Sequence, residues 1–158
     1  MATSHMLDEL GRIEREVESA WNARISDYCR PLPRKSKAGA PRQYELQQVF
    51  CAILALVRFA HPLRRPLLDS MPGVHPTFQH IHFWSERGCL PRMWRAYLHT
   101  LTTARMEEWD AAFRSPKLVG TARQNAFWFI EMKKVLLRML GQRQGTPRRL
   151  PGEWRARW

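Results

Sequence analysis

The chain is poor in cysteine: Cys29, Cys51 and Cys89 are the only three among 158 residues. They are odd in number, far apart and without a CxxC spacing, which argues against a disulfide framework and against a cysteine-based zinc site. A reducing, cytoplasmic compartment is the expectation. Long apolar runs are missing too. The longest, residues 49–57, covers about two and a half helical turns, well short of the ~20 residues a membrane span needs. No signal-peptide pattern opens the chain, and the leader MATSHM (residues 1–6) reads as a cloning scar. Strand-like alternation and internal repeats are also lacking. Ser/His and Cys/His pairs occur without a nucleophile elbow or an ordered partner, so no enzyme and no cofactor are expected. Acid is the scarcest commodity: 14 Asp and Glu stand against 26 Lys and Arg, a formal net charge of +12. Such an excess in a small chain points to a polyanion as partner, with DNA first among the candidates.

What is present is helical. Hydrophobic residues make up 44% of the chain, and seven Trp and seven Phe supply large core anchors. In residues 7–29, Leu7, Leu10, Ile13, Val17, Trp21, Ile25 and Tyr28 recur at helical steps, and the early acids suit a helix N-terminus. Residues 43–60 form the strongest helix pattern, stopped at His61-Pro62. Residues 63–71 predict a short second helix, and Pro72-Gly73 a turn. Residues 76–87 predict a third, with Phe78, Ile81 and Trp84 inward and Gly88 as its cap. Further helices are expected over 91–101, 105–113 and 121–140, the last apolar around most of its circumference and capped by Gly141. The expected organisation is an all-α fold: an N-terminal helix (7–30) suited to dimerisation, a basic arm (31–42), a helix-turn-helix domain (43–102), a C-terminal helical region (103–141) and a basic mobile tail (142–158). A homodimer through the first or the last helix is expected.

Three short helices joined by tight breaks match a helix-turn-helix plan, in which the third enters the major groove. A plain tri-helical bundle would give the same pattern. The outward positions expected on the third helix include Thr77, Gln79, His80 and His82, whose amide, imidazole and hydroxyl groups can address base edges or phosphates. Five histidines, His61, His75, His80, His82 and His99, raise the question of a metal. His80 and His82 are two apart and do not share a helical face, so no metal site is expected.

The order Gly39-Ala40-Pro41-Arg42, an apolar helix over 43–59, Pro62-Leu63-Arg64-Arg65-Pro66-Leu67-Leu68 and Phe83-Trp84-Ser85-Glu86-Arg87-Gly88 resembles the N-terminal domain of insertion-sequence transposases of the IS5 type (the IS4/IS5 superfamily). That family shows a GRPR arm, a helix, a W-R-D-L-P segment and a helix ending W-R-E-R-G. The resemblance covers under half of the chain. It implies an all-helical domain that binds double-stranded DNA at the element's terminal repeats. It also implies a missing catalytic domain: residues 108–113 resemble the approach to the first metal-binding carboxylate, but Ser115-Pro116 stands where the family has Asp-Gly. A two-metal nuclease needs clustered acids. The expectation is a catalytically inactive DNA-binding regulator or architectural protein, with a helical protein-interaction module as the alternative and RNA as a further possible ligand.

The charge that would grip phosphates lies in three places. Arg34, Lys35, Lys37 and Arg42 form an arm without acids, suited to a minor groove or else a solvated linker. Arg64 and Arg65 lie in the second predicted helix. Arg143, Arg148 and Arg149 open a tail where Arg alternates with Trp154 and Trp158, a composition that suits phosphate contact with base stacking, or a disordered terminus.

Overall fold

The computed structural model describes residues 4–32, 45–59, 72, 74–115 and 126–145. Those residues form six α-helices and no strand, which confirms the all-α class. The short helix expected over 63–71 lies outside the described residues, as does most of the expected arm.

Helix α1 (Ser4–Ala20) buries Leu10, Ile13, Val17 and Ala20. It starts inside the leader, so Asp8 and Glu9 fall in its second turn and no acid occupies the first. Glu9 instead forms ion pairs with Arg58 and Arg105. The helix also ends earlier than the pattern suggested. Trp21–Ile25 is a π-helical turn, followed by a 3₁₀ turn, Ser26–Tyr28. The apolar positions explain it. Ile13, Val17, Trp21 and Ile25 recur every four residues, and a helix of 3.6 residues per turn drifts away from that spacing. One wide turn restores the register and keeps Ile25 buried.

Helix α2 (Leu46–Phe59) is buried without interruption from Val49 to Val57. A helix apolar on every side belongs at the centre, and α2 packs against α1, α3 and α5. Helix α3 (Val74–Glu86) turns into α4 (Cys89–His99) at Gly88, whose φ of 72° is the left-handed conformation that glycine adopts without strain. Pro91 is tolerated in the first turn of α4, where backbone N–H groups lack intrahelical partners anyway. Helix α5 (Thr103–Phe113) begins at Thr102, whose hydroxyl accepts the Arg105 backbone N–H at 3.1 Å.

Helix α6 (Phe127–Arg143) packs on α4 and α5. It buries Trp128, Phe129, Met132, Leu136, Met139 and Leu140, so its apolar face serves the chain's own core. Gly141 is not a cap. It is buried within the helix, which continues to Arg143, and the positive φ falls at Gly145 instead. Gln142 and Arg143 accordingly belong to the folded body rather than to a tail. The core between α4, α5 and α6 is aromatic. Trp94 stacks on Tyr97 (5.7 Å between centroids) and meets Trp109 edge-on (5.3 Å), while Phe113 packs on Phe129 at 4.8 Å. The three fully buried indoles find acceptors for their N–H: Trp94 on the Met132 carbonyl (2.9 Å), Trp109 on the Tyr97 hydroxyl (3.2 Å), Trp84 on the Arg30 carbonyl (2.6 Å).

Candidate polyanion-binding face

The helix expected to read bases presents less than its sequence suggested. Thr77 is fully buried and His80 nearly so, together with Ile81 and Trp84. The reason is geometric. Positions 77, 80, 81 and 84 form one stripe of a straight helix, whereas two successive three-residue steps (78, 81, 84) rotate off the face. The His80 ring bonds the Pro76 carbonyl through Nδ1 at 2.8 Å and meets Trp84 edge-on at 5.1 Å. Thr77 and His80 are therefore corrected to core positions. Gln79 and His82 are exposed as expected.

Arg143 is also corrected. Its guanidinium donates to the carbonyls of Leu101, His99 (3.1 Å) and Leu98 (3.4 Å). It closes the C-terminal end of α4, where carbonyls lack intrahelical donors and positive charge is favourable. Arg34, Lys35, Lys37, Arg42, Arg64, Arg65, Arg148 and Arg149 lie outside the described residues. The charge is unevenly distributed along the sequence. The described residues carry 14 Lys and Arg against 12 Asp and Glu, and the remainder 12 against 2.

Within the described body some arginines are paired with acids and others are not. On the α1/α5 side, Arg105 is 2% exposed and surrounded by acids. It contacts Glu9, Glu16 (Nε to Oε2 3.1 Å, an NH2 nitrogen to Oε1 3.0 Å) and Glu108 (3.3 Å), and lies over the Trp109 ring. Burial alone would lower its pKa, but the hydrogen bonds it donates to Glu16 and Glu9 outweigh that and hold it above the usual arginine range. Arg58 approaches Glu9 (3.6 Å) and Arg12 approaches Glu108 (3.5 Å). The Tyr97 hydroxyl donates to Glu16 at 2.9 Å. Arg114 donates to Asp110 at 2.6 Å, within the segment that resembles the approach to the first metal-binding carboxylate.

On the other side, α4 carries Arg92, Arg95 and His99 at helical spacing, all exposed. Two clefts flank this stripe. One, of about 490 Å³, lies against the π turn and is lined by Arg24, Asp27, Tyr28, Arg92, Arg95 and His99. The other, of about 360 Å³, lies against α6 and adds Arg138 and Gln142. Arg24, Arg92 and Arg95 have no carboxylate partner among the described residues. Their mutual proximity shows at His99. Its pKa is lowered from the ordinary imidazole value, first by partial burial and then by the charges of Arg95, Arg24 and Arg143. The lowered value disfavours the charged ring in the free protein, and an anion bound among these arginines would oppose that part of the shift which their charges cause.

This cluster escaped the sequence reading because Arg24, Arg92, Arg95 and Arg138 are spread over three elements. The signal was there in part: Arg92, Arg95 and His99 alternate with the inward Met93, Trp94, Tyr97 and Leu98, a cationic stripe at positions i, i+3 and i+7. Among the described residues no cluster of three or more His, Cys, Asp or Glu could hold a metal ion. No helix among them is long and apolar enough to cross a membrane. Burial pushes the Cys51 thiol far up, so it stays protonated inside α2. No family model matches the chain, and neither does any curated protein or solved structure.

Proposed function

We propose that this chain is a non-catalytic nucleic-acid-binding protein whose grip is electrostatic and carried by the α4 face together with the arm and the tail. One observation carries the reading: Arg24, Arg92 and Arg95 converge from two elements without a carboxylate partner among the described residues, while Glu9, Glu16 and Glu108 are engaged by Arg105. Exposed arginines held at mutual repulsion bind polyanions by releasing counterions. Their fork-shaped donors match phosphate oxygens. The third helix keeps only Gln79 and His82 exposed of its four proposed reading groups, which supports backbone contact over base readout. A role as a regulator or architectural protein fits such binding. An interaction module docking through α6 has less behind it, because the apolar face of that helix is already covered by α4 and α5.

Electrophoretic mobility shifts over a series of salt concentrations test the proposal. Binding at low salt that falls steeply as salt rises is the expected result. No shift at the lowest salt overturns it.

A further inference from the structure

The larger cleft holds more than cations. Tyr28 lines it from the 3₁₀ turn and is 43% exposed, one of two large exposed aromatics among the described residues, with Phe127. The turn beneath the ring is fixed on both sides. The Cys29 N–H donates to the Ser26 carbonyl at 3.2 Å, and the Arg30 carbonyl receives the Trp84 indole N–H at 2.6 Å. An aromatic face is thus held in place beside Arg24, Arg92 and Arg95. The cleft of about 490 Å³ falls within the range that small-molecule sites occupy, roughly 300–1,000 Å³.

We propose that this cleft is a single-nucleotide site, which takes one backbone phosphate among Arg24, Arg92 and Arg95 and one unpaired base against Tyr28. The inference rests on the nucleic-acid reading above and adds the class of strand. In a duplex the base faces are stacked inside, so an exposed ring has nothing to stack on. In a single strand every base offers a face, and aromatic stacking with cationic backbone contact is the usual means of holding it. Asp27, the one carboxylate in the cleft, accepts from a sugar hydroxyl or a base amino group. It also disfavours the denser charge of a terminal phosphate relative to a diester.

Fluorescence anisotropy on the full chain tests this with a labelled oligothymidylate, alone and annealed to oligoadenylate, and with competing phosphatidylserine vesicles. The parent protein should prefer the single strand. Tyr28→Ala should weaken single-strand binding by about tenfold and leave duplex binding unchanged, while Tyr28→Phe keeps the parent affinity. Single-strand binding that Tyr28→Ala does not alter overturns the nucleotide site, and if Arg92→Glu with Arg95→Glu still abolishes binding, the broader reading survives as duplex or backbone recognition. If the double charge reversal changes neither ligand, both readings fail. Vesicles that displace the oligonucleotide and respond equally to Tyr28→Ala would reassign the face to a lipid headgroup.

Discussion

Two groups of arginines in this molecule meet opposite environments. Arg105 is buried, tied to Glu9, Glu16 and Glu108, and reaches from α5 to α1. Arg92 and Arg95 are exposed on α4, with no carboxylate partner among the described residues. The side chain is the same, and the surroundings decide what it does. Around Arg105 the negative charge is internal, so the guanidinium works as a cross-link. On α4 the negative charge has to come from outside, so the guanidinium is available to a ligand.

The comparison can be broken most forcefully at Arg105. Arg105→Met leaves Glu16 without its guanidinium and Glu9 with only Arg58 at 3.6 Å, and should cost about 3–5 kcal/mol, read as a large drop in thermal midpoint. Nucleic-acid affinity of the fraction still folded should be unchanged. A loss of affinity without a loss of stability would erase the distinction between the two groups. The reverse pattern is expected for Arg92→Ala with Arg95→Ala: an unaltered melting curve, and a slope of log affinity against log salt shallower by about 1.5–2. Arg143→Ala lies between the two. It removes a donor from the end of α4 and should cost about 1 kcal/mol, measurable by urea denaturation. The smallest effect concerns His99. Its folded-state pKa is depressed, so the unfolded chain binds the proton more readily. That contribution to stability is present above the ordinary imidazole range and is lost as pH falls through it. Because the ring is exposed, the observable is the NMR titration midpoint. It should lie below 6.5 in the free protein and move upward when oligonucleotide is added. A midpoint indifferent to oligonucleotide would place the ligand elsewhere.

The helices were largely legible in the sequence because they rest on periodicity. Leu10, Ile13 and Val17 mark α1, the continuous apolar run marks α2, and Gly88 marks the corner before α4. The errors arose where a short pattern is ambiguous by one residue. Thr77 and His80 were assigned to the outside because polar side chains suggest solvent, yet a Thr hydroxyl and an imidazole can be buried once their hydrogen bonds are satisfied locally, as His80 does on Pro76. Gly141 was read as a stop because glycine often is one, but Arg143 has acceptors on α4 that draw the helix one more half-turn. The cationic face was the least legible part. It depends on how α4 lies between the π turn and α6, and the spacing of residues 24, 92 and 138 carries no trace of that arrangement.

The supports of α4 come late in the chain. Trp94 is anchored on Met132, 38 residues downstream, and the last turn of α4 receives Arg143, between 42 and 45 residues beyond its acceptors. Closing contacts of such long sequence separation is slow compared with forming the helix itself. On the ribosome, the segment that bears Arg92 and Arg95 emerges well before the residues that hold it in place. The cationic stripe therefore acquires its final shape only after residues 132–143 have emerged, and a nascent chain still lacking α6 carries the charge of α4 without its geometry.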